Sequence, residues 1–265
     1  MVIDVFPFFN EIEILQIRLH ELDRYVDKFI IVESTVTFSG QPKRLLFAEN
    51  SHLFQPFLHK ITHVVAPPTK RNPDNVWAIQ AYQRDCASEM LLNCNDTNLI
   101  MIGDVDEIPR GQDFNEIYFG NESHSRTWLQ KHYIYYTNLV RPGAWVGTTI
   151  MPYKILRDGY GGSLFKARMQ RRKGKLIRPK NGIPVGWHFR NMGGQEAVEL
   201  KLKSSGHFSG VRAELLLKNP DILHDRMEVK REDKGRKLVV ESIEHHPQWF
   251  KDNIEDFKHL MTEEV

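Results

Sequence analysis

Asp104, Asp106 and Glu107 put three carboxylates within four positions, directly after the apolar run Leu99–Ile102 and Gly103, and Pro109 closes the stretch. The run has the length and branching of a buried strand. In an extended chain side chains at i and i+2 share a face, so Asp104 and Asp106 are expected to project together just beyond the strand. Two such carboxylates suit a hard divalent cation, which in turn can hold a diphosphate. The same residues also make an ordinary solvated turn, because D-x-D alone is a common pattern. A second concentration of charge, Lys166, Arg168, Arg171, Arg172, Lys173, Lys175 and Arg178, reads either as a solvated loop or as a flap facing phosphate or an anionic acceptor.

The elements that must hold these residues alternate along the first half. Val2–Phe6 is a short apolar strand stopped by Pro7. Asn10 with Glu13 forms a capping-box pattern ahead of Ile12, Leu15, Leu19, Leu22 and Val26, which recur at helical spacing. Lys28–Glu33 is a second strand, Ile61–Ala66 a third, and Asn72-Pro73 opens a helix in which Val76, Ile79, Cys86 and Met90 share a face. Strand–helix alternation implies a mainly parallel central sheet flanked by helices, with ligands beyond the carboxyl ends of the strands. Glu33 and the Asp104–Glu107 cluster both fall there. In the second half, Arg126–Asn138 and Trp145–Met151 read as paired strands with Arg141-Pro142-Gly143 as the turn between them. Val185–Arg190 is a further strand, and Gly193-Gly194 leads into a helix from Gln195 to about Ser204.

With 265 residues and 41% hydrophobic content, the chain can bury a substantial core, and no linker or repeat divides it. It is expected to be a single domain over 1–265, with a nucleotide-binding half to about 110 and an acceptor-side half beyond. A net charge of +2 argues against a nucleic-acid partner. No apolar run approaches the roughly 20 residues of a membrane span, and no signal-like start is visible, so a cytoplasmic location is expected. The two cysteines, Cys86 and Cys94, have neither metal-type spacing nor a disulfide framework.

Several co-linear segments are more specific than any one motif: Asp4–Glu11, Arg18–Leu22, Val26–Ser34, Thr37–Lys43, Gly103–Pro109, Gly186–Phe189 with Gly193-Gly194, and Lys201–Ser205 with His207. Together they resemble glycosyltransferase family 17, whose animal member adds the bisecting GlcNAc to N-glycans. The resemblance implies a GT-A-type nucleotide-diphospho-sugar transferase fold, a UDP-sugar donor (UDP-GlcNAc), Mn2+ or Mg2+, and inversion at the anomeric carbon. A metal held by Asp106, with Asp104 assisting or touching the ribose, would neutralise the charge growing on the departing UDP, and His188 is a candidate for a further metal or diphosphate ligand or, alternatively, a structural histidine. Glu33 is a candidate for uracil or ribose and, alternatively, a cap for the turn after it. Arg84 is a diphosphate ligand or an exposed helix arginine. Trp145 and Trp187 offer faces for sugar stacking or core packing. The general base that inversion requires is sought among Glu196, Asp158 and Glu107, of which Glu107 could instead pin the turn. The compact chain suggests a bacterial or viral relative, with an N-glycan, lipopolysaccharide, capsule or virion glycan as acceptor.

Overall fold

The computed structural model describes residues 1–37, 41–68, 76–117, 124–193, 199, 232–233 and 236–262. Strand β1 (Val2–Phe8) leads into helix α1 (Ile12–Leu22) and strand β2 (Lys28–Ser34). A four-residue helix α2 (Leu46–Glu49) and a 3-10 segment (Ser51–Lys60) precede β3 (Ile61–Ala66). Helix α3 (Val76–Asp85) is followed by β4 (Leu99–Ile102) and β5 (Glu107–Pro109). The second half holds β6 (Arg126–Ile134), β7 (Leu139–Pro152), helices α4 (Tyr153–Tyr160) and α5 (Leu164–Met169), β8 (Lys175–Ile177) and β9 (Gly186–Arg190). Strands β10 (Glu232–Asp233) and β11 (Arg236–Lys237) pair with each other, and β12 (Val239–Val240) and helix α6 (Gln248–Asp252) complete the set.

One ten-stranded sheet carries the fold, in the order β3-β2-β1-β4-β7-β6-β9-β5, with β12 on β7 and β8 on β6. The block β3-β2-β1-β4 is parallel, as strand–helix alternation implies. The second half mixes directions: β7 runs antiparallel to β4 and β6, while β9 runs parallel to β6 and antiparallel to β5. Helices pack against this sheet, so the molecule is an α/β fold with a central sheet flanked by helices. Among the described residues no helix is long and apolar enough to cross a membrane.

Strand β1 lies between β2 and β4, and its residues alternate between two cores. Ile3 and Val5 join Ile30, Val32, Ile100 and Ile102 on one side. Phe6 and Phe8 join Leu15, Leu19 and Leu22 of α1 on the other. A third cluster, with Ile14 and Ile17 of α1 against Phe250, Phe257 and Leu260, ties the C-terminal segment to the same helix. Burial on two sides explains why α1 is apolar beyond a single stripe. The expected Asn10 cap is displaced by one residue: Glu11 stands at the N-cap and its Oε2 accepts from the backbone N–H of Phe9 and Asn10. Helix α3 also ends earlier than its apolar pattern suggests, turning 3-10 over Cys86–Leu91, and Met90 is exposed. Arg141-Pro142-Gly143 lie inside β7 as a bulge, because Val140 pairs with Tyr133 and Ala144 with Lys131. The connection between β6 and β7 is made instead at Tyr135–Asn138, where Tyr135 adopts φ +68°.

Asp4 is fully buried on the α1 side of β1 and meets Arg18, also fully buried, through two hydrogen bonds of 2.8 Å. The guanidinium lies 4.5 Å over the Phe6 ring. Removing one partner of such a pair strands a charge in the core, so Arg18→Met is expected to cost about 3–5 kcal/mol in denaturant unfolding. Glu21, at the end of α1, accepts from the backbone N–H of Gly111 at 2.7 Å. Burial pushes its carboxyl up to about 7, against the pull of that N–H and of Arg110. A raised folded-state value means that the native state holds the proton more tightly than the unfolded chain between about 4.5 and 7. Stability is therefore expected to fall as pH rises through that window, and Glu21→Gln to lack this component in urea titrations at successive pH values.

Candidate active site

The site is built on the turn from Gly103 to Glu107, at the carboxyl end of β4. Glycine is required at 103 because a Cβ there would overlap the Thr148 side chain. The turn closes through the Glu107 N–H on the Asp104 carbonyl at 3.0 Å. Arg18 Nη1 donates to the carbonyls of Asp104 (3.1 Å) and Glu107 (2.7 Å), and Thr148 Oγ1 donates to Glu107 O at 2.6 Å. From the other side, the Phe189 N–H donates to Asp106 O at 2.8 Å. The segment is thus a pinned turn and not the extended run expected from the sequence, and Asp104 and Asp106 meet different partners.

Asp104 is engaged by two guanidiniums. Arg84 Nη2 bonds its Oδ1 while Arg84 Nη1 donates to Gly103 O at 2.7 Å. Arg168 Nη2 lies 3.2 Å from its Oδ2. Burial works against ionisation of Asp104, but the charges of Arg84 and Arg168 outweigh it and hold the carboxyl far below the usual range. Arg168 also bonds Glu107 Oε1 through Nη2 and donates to Gly147 O through Nη1 at 3.0 Å. Arg171 donates through Nε to Val146 O at 2.8 Å and lies 5.7 Å over the Trp145 ring. Burial, then the charge of Arg168, lowers its guanidinium to about 10. Asp106 faces His188, with Oδ1 and Nε2 3.8 Å apart. Trp145 stacks on His188 with ring centroids 4.4 Å apart and donates from Nε1 to Glu107 Oε1 at 2.6 Å. His132 joins them, 4.7 Å from His188 and 5.5 Å from Trp145.

Sheet register explains this gathering. Glu107 pairs with His188, and His188 with His132, so the three share one face across β5, β9 and β6. Gln130 lies two residues before His132 on β6 and pairs with Trp145 on β7, placing both on that face. Ile108, Trp187, Phe189 and Tyr133 take the alternate positions and form the core beneath.

Several expectations are corrected by these positions. Trp187 is 2% exposed and donates from Nε1 to His245 O at 3.0 Å; it packs the core and presents no face to a sugar. Asp158 is exposed on α4, whose first residues donate to the carbonyls of Asn98 and Asp96 at the amino end of β4. It pairs with Arg157, which also holds Asp96, at the opposite end of that strand from Asp104. Glu33 is fully buried, and both of its oxygens are committed. Oε1 accepts from Lys43 Nζ and Leu46 N at 2.6 Å each, and Oε2 from Phe47 N (3.2 Å) and His63 Nε2 (3.1 Å). Glu33 therefore anchors the segment leading into α2, the alternative role open to it, and has no oxygen left for uracil or ribose. Glu107, fully buried with both oxygens bonded, pins the turn. Arg84 is a buried site residue rather than an exposed helix arginine. Glu196 and the anion-binding end of its helix lie outside the described residues.

Among the described residues no group of three or more His, Cys, Asp or Glu could hold a metal ion. Of the three ligands named from the sequence, Asp106 and His188 face one another, whereas both oxygens of Asp104 face guanidiniums. The basic run divides: Arg168 and Arg171 turn into the site, while Lys173 and Lys175 stay exposed. Arg168 and Arg171 were named from the sequence as part of the basic run, one reading of which was a flap facing phosphate, whereas Arg18, His132, Gln130 and Thr148 were not singled out as site residues. If Glu33 is an anchor, Glu33→Gln is expected to lower unfolding stability by about 1–3 kcal/mol while nucleotide affinity by calorimetry stays within about twofold.

Comparison with known proteins follows the same stretch of chain. The model of glycosyltransferase family 17 matches residues 1–227. The chain is similar to the beta-1,4-mannosyl-glycoprotein 4-beta-N-acetylglucosaminyltransferases of Rattus norvegicus, 28% identical over 220 residues, and of Homo sapiens, 28% identical over 212. These alignments cover 79% and 76% of this chain but 39% and 38% of the relatives, so the chain spans under two-fifths of their length. Among solved structures it is similar to the inositol-1-phosphate CTP transferase from T. maritima at a TM-score of 0.39 and 10% identity, over 78% of this chain and 94% of that one. The family match covers most of the residues that build the sheet and the pinned turn, and on it the chain belongs to glycosyltransferase family 17.

Proposed function

We propose that this chain transfers a sugar, GlcNAc in β linkage, from a UDP-sugar to a glycan acceptor with inversion, on a GT-A-type nucleotide-binding fold. The observation that supports this most is the convergence of Arg84, Arg168 and Arg171 beside the Asp104–Glu107 turn, at the carboxyl end of β4. Three guanidiniums, two of them engaging one carboxylate, make a site that an incoming diphosphate can enter by exchanging anions. Planar forks of this kind bind phosphate oxygens bidentately and stabilise the charge that grows on a departing nucleoside diphosphate. The name of the relatives supplies the sugar, an N-acetylglucosaminyl group, and a mannosyl-glycoprotein acceptor. For this shorter chain an N-glycan, lipopolysaccharide, capsule or virion glycan is the proposed acceptor class.

Asp106 and His188 fit a divalent cation such as Mn2+ as a two-residue set, their donor atoms 3.8 Å apart, with donor phosphates and water completing the shell. When bound, such an ion would supply Lewis-acid stabilisation of the leaving diphosphate. Asp104 stays with its arginines in this reading. Glu107 keeps the turn shut, and Trp145, stacked on His188, walls the sugar side. Of the three carboxylates considered for the base, Glu196 remains, positioned in sequence just after Gly193-Gly194.

Donor hydrolysis tests the reading: UDP-, GDP- and CMP-sugars are incubated with the protein in Mn2+ or in EDTA, and free nucleotide is measured. Mn2+-dependent release of UDP is expected, and Asp106→Ala is expected to lower it about 100-fold or more. Near-normal release by that variant would remove the role given to Asp106. UDP binding without release from any donor, with or without a glycan acceptor, would make the chain a binding protein.

A further inference from the structure

Gln130 has no exposed surface, and neither its Oε1 nor its Nε2 has a hydrogen-bond partner among the described residues. An amide buried in this way is destabilising, and such groups call for an explanation. Its position gives one. Trp128, Gln130 and His132 alternate onto one face of β6; Trp128 belongs to the apolar core, while His132 stands beside Trp145 and His188. Gln130 is therefore where that face passes from core to site.

Trp145 is its cross-strand neighbour, and both side chains lie beside Gly147. A Cβ on Gly147 would overlap Gln130 Oε1 and approach Trp145 Cδ1 to 3.3 Å, so the glycine makes room for the amide. Trp145 lies two residues after the β7 bulge, in which Pro142 and Gly143 are exposed and Gly143 adopts φ +98°. The bulge ends before Ala144, where pairing with β6 resumes, and so sets the twist of the paired segment that carries Trp145. The carboxamide, with one acceptor and a donor both unmet, has the hydrogen-bonding pattern complementary to another amide.

We propose that Gln130 is the specificity-determining residue of the sugar subsite, its carboxamide pairing with the acetamido group of the transferred sugar when the Trp145 ring moves aside. This rests on the glycosyltransferase reading above and adds to it the residue that selects the sugar. A substrate carrying the amide fills both unmet groups; one with a hydroxyl at that carbon fills them incompletely and is disfavoured.

The test compares UDP release from UDP-GlcNAc and from UDP-glucose, which differ at the acetamido group, by the full chain with Mn2+, and UDP binding alone serves as the folding control. The wild-type protein is expected to prefer UDP-GlcNAc, and Gln130→Met to reduce that ratio of kcat/KM about tenfold or more. If Gln130→Met no longer binds UDP, Gln130→Asn decides on the same ratio. An unchanged ratio in the variant, or no preference in the wild type, overturns the role of Gln130 while UDP release leaves the transferase reading standing; the amide then holds only a buried water. Release from neither sugar overturns both.

Discussion

The buried guanidinium of Arg18 is the contact on which the site depends. It neutralises Asp4 inside the sheet and, with its remaining donor, grips the carbonyls of Asp104 and Glu107. An apolar residue of similar volume could fill the space, but it could not hold carbonyls 86 and 89 residues away in a fixed turn. Arginine suits the position because its planar fork serves a carboxylate along one edge and carbonyls along another without giving up its charge. The first strand, the first helix and the acidic turn thereby become one rigid unit.

Around that unit the site is an alternation of carboxylates and guanidiniums. Asp104 lies between Arg84 and Arg168, and Arg168 reaches on to Glu107, which also holds Trp145. The Asp104 carboxylate is 40% exposed, so this arrangement opens outward where an anion can compete for the arginines. Glu107 has no such access, and its ties are structural. Two acidic residues three positions apart thus have separate tasks, set by exposure alone.

Much of the first half of this fold is legible in the sequence because β1, β2 and β4 are buried on both faces and read as continuous apolar runs. The acidic turn was legible for the same reason, since it interrupts such a run. What the sequence did not show was pairing at long range. Arg168 and Arg171 sit in a basic run that looks solvated until β7 and Trp145 are placed beside it. Trp187 is instructive in another way: β9 has a two-residue period, so once His188 faces the site, Trp187 must face the core. That inference was available from the residues alone. Asp158 needed the structure, because only the packing of α4 shows which end of β4 it borders.

The order of strands carries a consequence for how the protein is made. Strand β5 has its ladder partner in β9, with Glu107 opposite His188, and the Phe189 N–H completes the hold on Asp106. Those residues leave the ribosome some eighty positions after the acidic turn does. A nascent chain can assemble β1, α1, β2, β3 and β4, with the hold of Arg18 on the turn, as they emerge, yet the ladder of β5 and the hold on Asp106 wait for β9. The parallel block is a scaffold completed early and the site a late addition to it, so a ribosome-bound intermediate carries the acidic turn without the histidine that is to face it.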